Sequence, residues 1–233
     1  MNPLLVYAGV PVPEIRLKGN GEEGGIYQEE LALQAGRKYH GRIVIGGDPG
    51  VVPVEVRLVW GNGENDRQVF AIEKIKPDYE KYYFSFTARK TTDNGRLEIV
   101  SRGSEAFRVA AVSLMPADNL EGFRPEVIKL LQELNSPVYR WPGGNFVSGY
   151  NWKDGIGDPD RRPPRKNPAW QGVEHNDVGI HEFMAFCRLV GAEPFIAVNS
   201  GQGNETMAAE QVEYVNGNPD TPMGRLRVLN GHP

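Results

Sequence analysis

Hydrophobic and polar positions alternate through the first half of the chain, in short runs that recur about every ten residues. In Val54–Trp60 the apolar side chains alternate with Glu55 and Arg57, so one face of the strand is expected to be buried and the other to face solvent. Trp60 is predicted to lie in the core. Gly, Pro and Asn clusters separate the runs, and Asp93-Asn94-Gly95 and Gly103 are typical of tight hairpin connections. The other predicted strands are Ile26–Leu33, Tyr39–Ile45, Gln68–Ile75, Tyr82–Ala88, Arg96–Val100 and Phe107–Leu114. The pattern predicts an antiparallel β-sandwich over residues 1–118.

After residue 118 the apolar period becomes helical. Gly122–Leu134 is predicted to be a helix, with Pro125 in its first turn. Its expected core face is Phe123, Val127, Leu130, Leu131 and Leu134. Strands are predicted at Val138–Trp141 and Glu193–Asn199, and further helices at Val178–Val190 and Thr206–Val215. Alternating helices and strands are typical of parallel-sheet proteins, so residues 119–233 are expected to form a second domain.

One stretch of the second half has the composition of a binding site rather than of a connector. Pro137–Trp152 reads PVYRWPGGNFVSGYNW. Pro142 ends the predicted strand, and Gly143-Gly144 permits a sharp turn that brings backbone close to another group. Because aromatic and amide side chains follow the turn, the stretch predicts the mouth of a site.

Composition and charge exclude several classes of protein. The chain has 26 basic and 30 acidic residues, so no net charge draws it to nucleic acid or to an anionic membrane. No segment approaches the roughly 18 uncharged apolar residues of a membrane span, and the N-terminal stretch lacks the features of a secretion signal. Cys187 is the single cysteine, which excludes an internal disulfide, and it is predicted to be a core residue. We expect a soluble, cytoplasmic protein.

Three segments carry a family resemblance: RWPGGNFVSGYNWKDGIG, RRPPRKNPAWQGVEHNDVGIHEFM and GAEPFIAVNSGQG. They resemble the α-L-arabinofuranosidases of glycoside hydrolase family 51, and the resemblance spans residues 119–233. Residues 1–118 resemble, less specifically, a carbohydrate-binding-like sandwich that some members carry. The implied fold is a jelly-roll-like β-sandwich of the carbohydrate-binding-module type, followed by an incomplete (β/α)8 TIM barrel, since a whole barrel needs about 250 residues.

The resemblance implies a retaining arabinofuranosidase acting on arabinan or arabinoxylan oligosaccharides. It also implies that both catalytic glutamates, the acid/base and the nucleophile, lie downstream of Pro233. The triplet Gly203-Asn204-Glu205 is interpreted as a loop and helix start instead of the acid/base. The chain is therefore expected to be an inactive fragment.

Five residues are implied as substrate-binding or site-supporting: Arg140, Asn145, Trp170, Glu174 and Asn199. Arg140 would orient the nucleophilic carboxylate, Asn145 would contact an arabinose hydroxyl, and Trp170 would stack against the sugar. Glu174 would brace the site loop. The structural alternatives are a rim salt bridge for Arg140, a turn residue for Asn145 and a packing residue for Trp170.

A polar cluster at Glu174–Asp177 with His181 raises the question of a metal site. His175 and His181 straddle a predicted helix start without sharing one helix face, so Asn176 or Asp177 is predicted to be a helix cap and no metal or cofactor is implied. The basic run Arg161–Lys166 contains prolines and is interpreted as a stiff loop at a rim or subunit contact. The full-length protein is thus a candidate homo-oligomer.

Two other functions are compatible with the sequence. The same barrel could carry an endoglucanase, because a fold does not fix a substrate. Alternatively, the sandwich could be a non-catalytic carbohydrate-binding module. Trp60, Tyr82 and Tyr83 are candidates to stack on sugars, although the alternation favours Trp60 in the core. In every case the expected partner is a carbohydrate, and arabinose-containing oligosaccharides are preferred.

Overall fold

The computed structural model describes residues 5–167 and 169–233, and the chain divides into two compact units, Met1–Asn119 and Leu120–Pro233. The first four residues of the stretch considered for a secretion signal lie outside the described residues. Among the described helices, none is long and apolar enough to cross a membrane.

The first unit consists of antiparallel strands arranged in two four-stranded sheets. The strands are β1 (Val6–Tyr7), β2 (Val10–Pro11), β3 (Glu14–Arg16), β4 (Gly24–Leu33), β5 (Lys38–Gly47), β6 (Val54–Val59), β7 (Arg67–Ile72), β8 (Glu80–Thr87), β9 (Thr92–Ser101) and β10 (Ala106–Pro116). One sheet has the order β3-β10-β5-β8, the other has the order β4-β9-β6-β7, and β1 pairs with β2.

The two sheets share one hydrophobic core, which confirms the predicted sandwich. Val54, Val56 and Leu58 are fully buried, and Trp60 is 3% exposed within the same cluster. Ile43 and Phe107 of the opposite sheet belong to that core. Strand alternation places these side chains inward and leaves Glu55 and Arg57 on the outer face.

The two predicted hairpin connections are wrong. Asp93, Asn94 and Gly95 lie inside β9, where Gly95 pairs with Leu31 of β4. Gly103 joins β9 to β10, and these strands belong to different sheets. Gly103 thus carries a sheet-to-sheet crossing of the sandwich, which turn-type residues serve as readily as they serve hairpins, whereas Asp93-Asn94-Gly95 is part of a paired strand.

The second unit alternates helices and strands, as the apolar pattern predicts. Its elements are α1 (Pro125–Leu134), β11 (Val138–Trp141), α2 (Gly144–Val147), β12 (Arg165–Asn167), β13 (Gly172–Glu174), α3 (Ile180–Val190), β14 (Glu193–Ile196), α4 (Glu205–Asn216) and α5 (Pro222–Leu229). β11 and β14 pair in parallel, with Val138 opposite Glu193 and Trp141 opposite Ile196. The β12–β13 hairpin and α5 were not predicted.

The predicted core face of α1 is wrong in part. Ile128 is the buried residue of this helix, whereas Val127, Leu130 and Leu134 are 46%, 63% and 67% exposed. The helix packs toward α3, and Phe123, just before α1, lies with its ring 5.7 Å from that of Phe186 on α3. Helical spacing identifies an apolar stripe, but the neighbouring helix decides which part of that stripe is covered.

Candidate active site

The loops that follow β11 and β14 start at the same edge of the sheet, because the two strands are parallel. Asn199 joins these loops: its side chain is buried, and its Nδ2 donates to the carbonyl oxygen of Tyr150 at 3.1 Å. Its Oδ1 accepts from the amides of Gly201 and Gly203, at 3.1 Å each. The structure thus places Asn199 as a brace between the two strand-end loops.

Arg140 and Asn145 lie where β11 passes into its loop. Arg140 is exposed on the strand, and within the described residues its guanidinium has no recorded hydrogen bond or ion pair. The Arg140 side chain lies against the turn: a Cβ atom added to Gly143 would be only 3.2 Å from Arg140 Nη2. Asn145 is exposed on α2, and Gly144 before it has a φ of 60°, which favours glycine.

Aromatic side chains pack around the end of β11 and hold it in place. Trp141 stacks on Phe183 of α3 at 5.7 Å and meets the edge of Tyr150 at 5.5 Å. Tyr150 in turn packs on Phe146 at 4.9 Å. Burial, followed by the nearby charge of Glu174, raises the pKa of the Tyr150 phenol, so this group stays neutral.

Trp170 and Glu174 belong to the β12–β13 hairpin. Trp170 lies in the connection between the strands and is 72% exposed. The connection is tied to Asn167, whose Oδ1 accepts from the amides of Ala169 and Trp170 at 3.1 Å each. Glu174 Oε1 accepts from the amide of Asn176 at 2.9 Å, so this carboxylate braces the end of the hairpin.

Arg162 has a role that the sequence interpretation missed. The basic run was expected at a rim or subunit contact, but the Arg162 side chain is 2% exposed and pairs with Glu182 of α3. Its Nη1 and Nη2 reach the two Glu182 oxygens at 3.0 and 2.8 Å. Burial opposes ionisation of Glu182, but the hydrogen bonds from Arg162 and the Gly179 amide outweigh it and lower the pKa.

The predicted helix cap is also wrong. Gly179 is the N-cap of α3, and its amide donates to Glu182 Oε2 at 2.8 Å. Glu182 forms one half of a capping box by accepting from the N-cap amide, whereas Gly179 has no side chain to form the other half, so the sequence carries no full capping-box signal here. Asn176 is instead 1% exposed at φ 59°, and its Nδ2 donates to the carbonyl oxygen of Pro163 at 2.8 Å.

The histidines of the polar cluster are not brought together. His175 is exposed, whereas His181 Nε2 lies 2.7 Å from Tyr214 Oη and its ring stacks on His232 at 3.5 Å. Burial, then repulsion from His232, lowers the pKa of His181 to about 4, so its ring is neutral near pH 7. Among the described residues, no group of three or more His, Cys, Asp or Glu is arranged to hold a metal ion.

The remaining candidate residues match their predicted structural roles. Asn204 caps α4 by accepting from the Met207 amide at 2.9 Å, so Glu205 is a helix start as expected. Cys187 is 2% exposed in the second unit and is a core residue, as predicted. Within the described residues, no hydrogen bond or ion pair directly joins any two of Arg140, Asn145, Trp170, Glu174 and Asn199.

The second unit is similar to known proteins over most of its length. Residues 130–233 match the family model described as the Alpha-L-arabinofuranosidase 1 domain. A probable alpha-L-arabinofuranosidase C of Aspergillus clavatus is 47% identical over 116 residues, covering 50% of this chain and 23% of the relative. An intracellular exo-alpha-L-arabinofuranosidase of Bacteroides ovatus is 43% identical over 114 residues, covering 48% of this chain and 22% of the relative.

A solved structure gives a similar alignment. The thermostable GH51 alpha-L-arabinofuranosidase of Thermotoga petrophila is 45% identical over 51% of this chain and 25% of that one, with a TM-score of 0.49. The chain thus spans about a quarter of the length of the relatives that it matches, 23% in the Aspergillus clavatus protein.

These relatives are named as α-L-arabinofuranosidases, which are glycoside hydrolases. Residues 130–233 are similar to α-L-arabinofuranosidases, which confirms the resemblance carried by the three sequence segments.

Proposed function

We propose that this chain is part of a retaining α-L-arabinofuranosidase that removes terminal α-L-arabinofuranosyl residues from arabinan and arabinoxylan oligosaccharides. The observation that carries the proposal is the strand end at Arg140. There an exposed guanidinium, unpaired within the described residues, stands directly before the Gly143-Gly144-Asn145 turn. This strand end lies inside the segment that matches the family model.

The chemistry assigns a role to each exposed group. Retaining glycosidases place two carboxyl groups about 5–5.5 Å apart, one as nucleophile and one as acid and then base. The planar guanidinium of Arg140 can donate two parallel hydrogen bonds to a carboxylate. Donated to the nucleophilic carboxylate, these bonds would keep that group ionised and correctly oriented. The Asn145 amide both donates and accepts, as a sugar hydroxyl requires, and the exposed Trp170 ring offers a stacking surface.

We assign the second unit to the early part of a (β/α)8 barrel. On the β11–β14 pair, Val138 and Phe195 are 47% and 58% exposed. Inward-facing apolar side chains fill the interior of such a barrel, so this exposure supports further strands beside the pair. Both catalytic glutamates are expected on those later strands, beyond residue 233. We do not assign Glu205 as the acid/base, because it is the first residue of α4 and directly follows the N-cap Asn204.

We assign the first unit to an accessory, carbohydrate-binding-like sandwich with a jelly-roll-like arrangement. Two tyrosines support contact with sugars: Tyr27 and Tyr83 are 65% and 70% exposed. Flat, exposed aromatic rings on a sheet are the groups that stack on pyranose or furanose faces. We further propose a cytoplasmic location, which agrees with the name of the Bacteroides ovatus relative, an intracellular enzyme.

The test is an activity assay on the complete reading frame that encodes this chain. We expect hydrolysis of an aryl α-L-arabinofuranoside and release of arabinose from arabino-oligosaccharides, with no cleavage of cello-oligosaccharides. The 233-residue chain alone is expected to give no turnover, because it lacks the two carboxylates. Cleavage of cello-oligosaccharides by the complete protein would favour an endoglucanase, and turnover by the 233-residue chain would contradict the assignment of the catalytic groups.

A further inference from the structure

The β12–β13 hairpin is too small to hold its own conformation. Three residue pairs form it, from Arg165 opposite Glu174 to Asn167 opposite Gly172. Isolated two-stranded hairpins are at best marginally stable in water. The Trp170 ring, 72% exposed, adds little packing to the hairpin that carries it. The position of Trp170 therefore depends on what holds the base of the hairpin.

Arg162 occupies that base. On the entry side its Nε and Nη2 donate to the carbonyl oxygen of Gly157 at 3.3 and 3.0 Å. On the exit side its Nη1 donates to the carbonyl oxygen of Asn176 at 2.9 Å. One guanidinium thus spans the two chain segments that lead into and out of the hairpin.

The same guanidinium is anchored to α3 through Glu182. The two side chains form a two-pronged ion pair, and the Arg162 side chain is 2% exposed. A planar fork with several donors is needed to reach two carbonyls and a carboxylate together, which a lysine ammonium cannot reproduce. A second tie, from Asn176 Nδ2 to the carbonyl oxygen of Pro163 at 2.8 Å, closes the same base.

We propose that Arg162 is a positioning residue for sugar binding: anchored by Glu182, it clamps the base of the β12–β13 hairpin and so sets the place of Trp170. The proposal rests on the proposed function, in which the Trp170 ring walls the arabinose subsite. Arg162 touches no substrate itself. Its effect reaches the sugar through the hairpin.

The first experiment measures amide hydrogen exchange in the 233-residue chain and in its Arg162→Lys and Glu182→Gln variants. We expect exchange in Arg165–Asn167 and Gly172–Glu174 to become faster, on the order of tenfold, while β14 and the centre of α3 stay protected. Glu210→Gln is the matched control, because it removes the Lys153–Glu210 ion pair, whose members lie outside the hairpin and its base. Unchanged hairpin exchange, or equal acceleration throughout the second unit, would overturn the clamp.

The second experiment uses steady-state kinetics of the complete protein on an aryl α-L-arabinofuranoside. We expect Arg162→Lys and Trp170→Ala each to raise KM several-fold more than they lower kcat, and the double variant to resemble Trp170→Ala alone. Additive effects in the double variant would show that Arg162 does not act through Trp170. If the unsubstituted protein has no activity, the proposed function fails, and the exchange experiment still decides whether Arg162 clamps the hairpin.

Discussion

The Nδ2 of Asn199 donates to the backbone oxygen of Tyr150 at 3.1 Å, and this bond links the loops that follow the two parallel strands. The amide of Gln202 adds a second link by donating to the carbonyl oxygen of Ser148 at 2.9 Å. The Asn199 amide is satisfied at both of its ends, because its Oδ1 also accepts from Gly201 and Gly203. A buried amide with three hydrogen bonds is costly to remove, because the carbonyl oxygen of Tyr150 loses its donor and the amides of Gly201 and Gly203 lose their acceptor.

Replacing Asn199 by alanine should therefore lower the free energy of unfolding of the second unit by about 1–3 kcal/mol. Urea titration followed by tryptophan fluorescence measures this loss, because Trp141, Trp152 and Trp170 all lie in that unit. Asn145→Ala is the matched control: Asn145 is exposed, so its stability should change by no more than about 0.5 kcal/mol. Equal effects of the two variants would contradict the bracing role.

Arg140→Lys in the complete protein should lower kcat by roughly ten- to a hundred-fold. Lysine keeps the charge but loses the planar fork that directs a carboxylate. A lost charge-assisted hydrogen bond of about 1.5–3 kcal/mol corresponds to that range of rates. Steady-state kinetics with circular dichroism as the folding check measures the effect. A near-normal kcat would mean that Arg140 only borders the site.

Asn145→Ala in the same protein should behave differently from Arg140→Lys. A side chain that holds a hydroxyl equally in the ground and transition states contributes to KM rather than to kcat. We expect a raised KM with kcat nearly unchanged in the same assay. A fall in kcat without a change in KM would place Asn145 in contact with the transition state alone.

Acid should destabilise the second unit through His181. The pKa of His181 in the folded chain is about 4, below its ordinary 6.5, because burial and then the neighbouring His232 disfavour the cation. The unfolded chain takes up this proton first, so stability is lost as pH falls from 6.5 toward 4. Glu182 also lies near the ring, and its pKa is lowered from 4.5. The stability that its ionised carboxylate contributes is therefore lost only at still lower pH.

Urea unfolding of the chain between pH 7 and 5 measures this slope. The groups facing His181 are Tyr214, His232, Glu182, Arg162 and Arg227. His181→Gln should flatten the slope, whereas His40→Gln should leave it unchanged, since His40 is exposed in the first unit. A slope that persists in His181→Gln would assign the acid sensitivity to another group.

The first unit should fold when Met1–Asn119 is expressed alone, because its two sheets share a complete core. We expect one cooperative thermal transition by circular dichroism. Leu58→Ala, at a fully buried position, should destabilise it by about 2–5 kcal/mol. Val69→Ala, at a position 48% exposed, should change its stability by no more than about 0.5 kcal/mol. A flat, unfolded spectrum would show that the core needs the rest of the chain.

The sequence by itself determined the features that depend on local periodicity. The alternation in Val54–Trp60 fixed which face of β6 is buried, and helical spacing located α1, α3 and α4 within a few residues. Pro142 and Gly143-Gly144 marked the end of β11, because proline cannot donate to a strand ladder and two glycines permit a sharp turn. The triplet Gly203-Asn204-Glu205 was predicted to be a loop and helix start, and α4 begins there at Glu205.

Tertiary structure alone decided which distant groups meet. Asp93-Asn94-Gly95 has the composition of a turn, yet sheet pairing places it inside β9. Arg162 and Glu182 are 20 positions apart with a hairpin between them, and only folding brings the two charges together in a buried site. Helical spacing could not choose Ile128 over Leu130, because the packing of α3 decides which side of α1 loses water. The local pattern thus determines each helix and strand, whereas the packing of these elements against one another, which removes water from the surfaces between them, determines which distant residues meet.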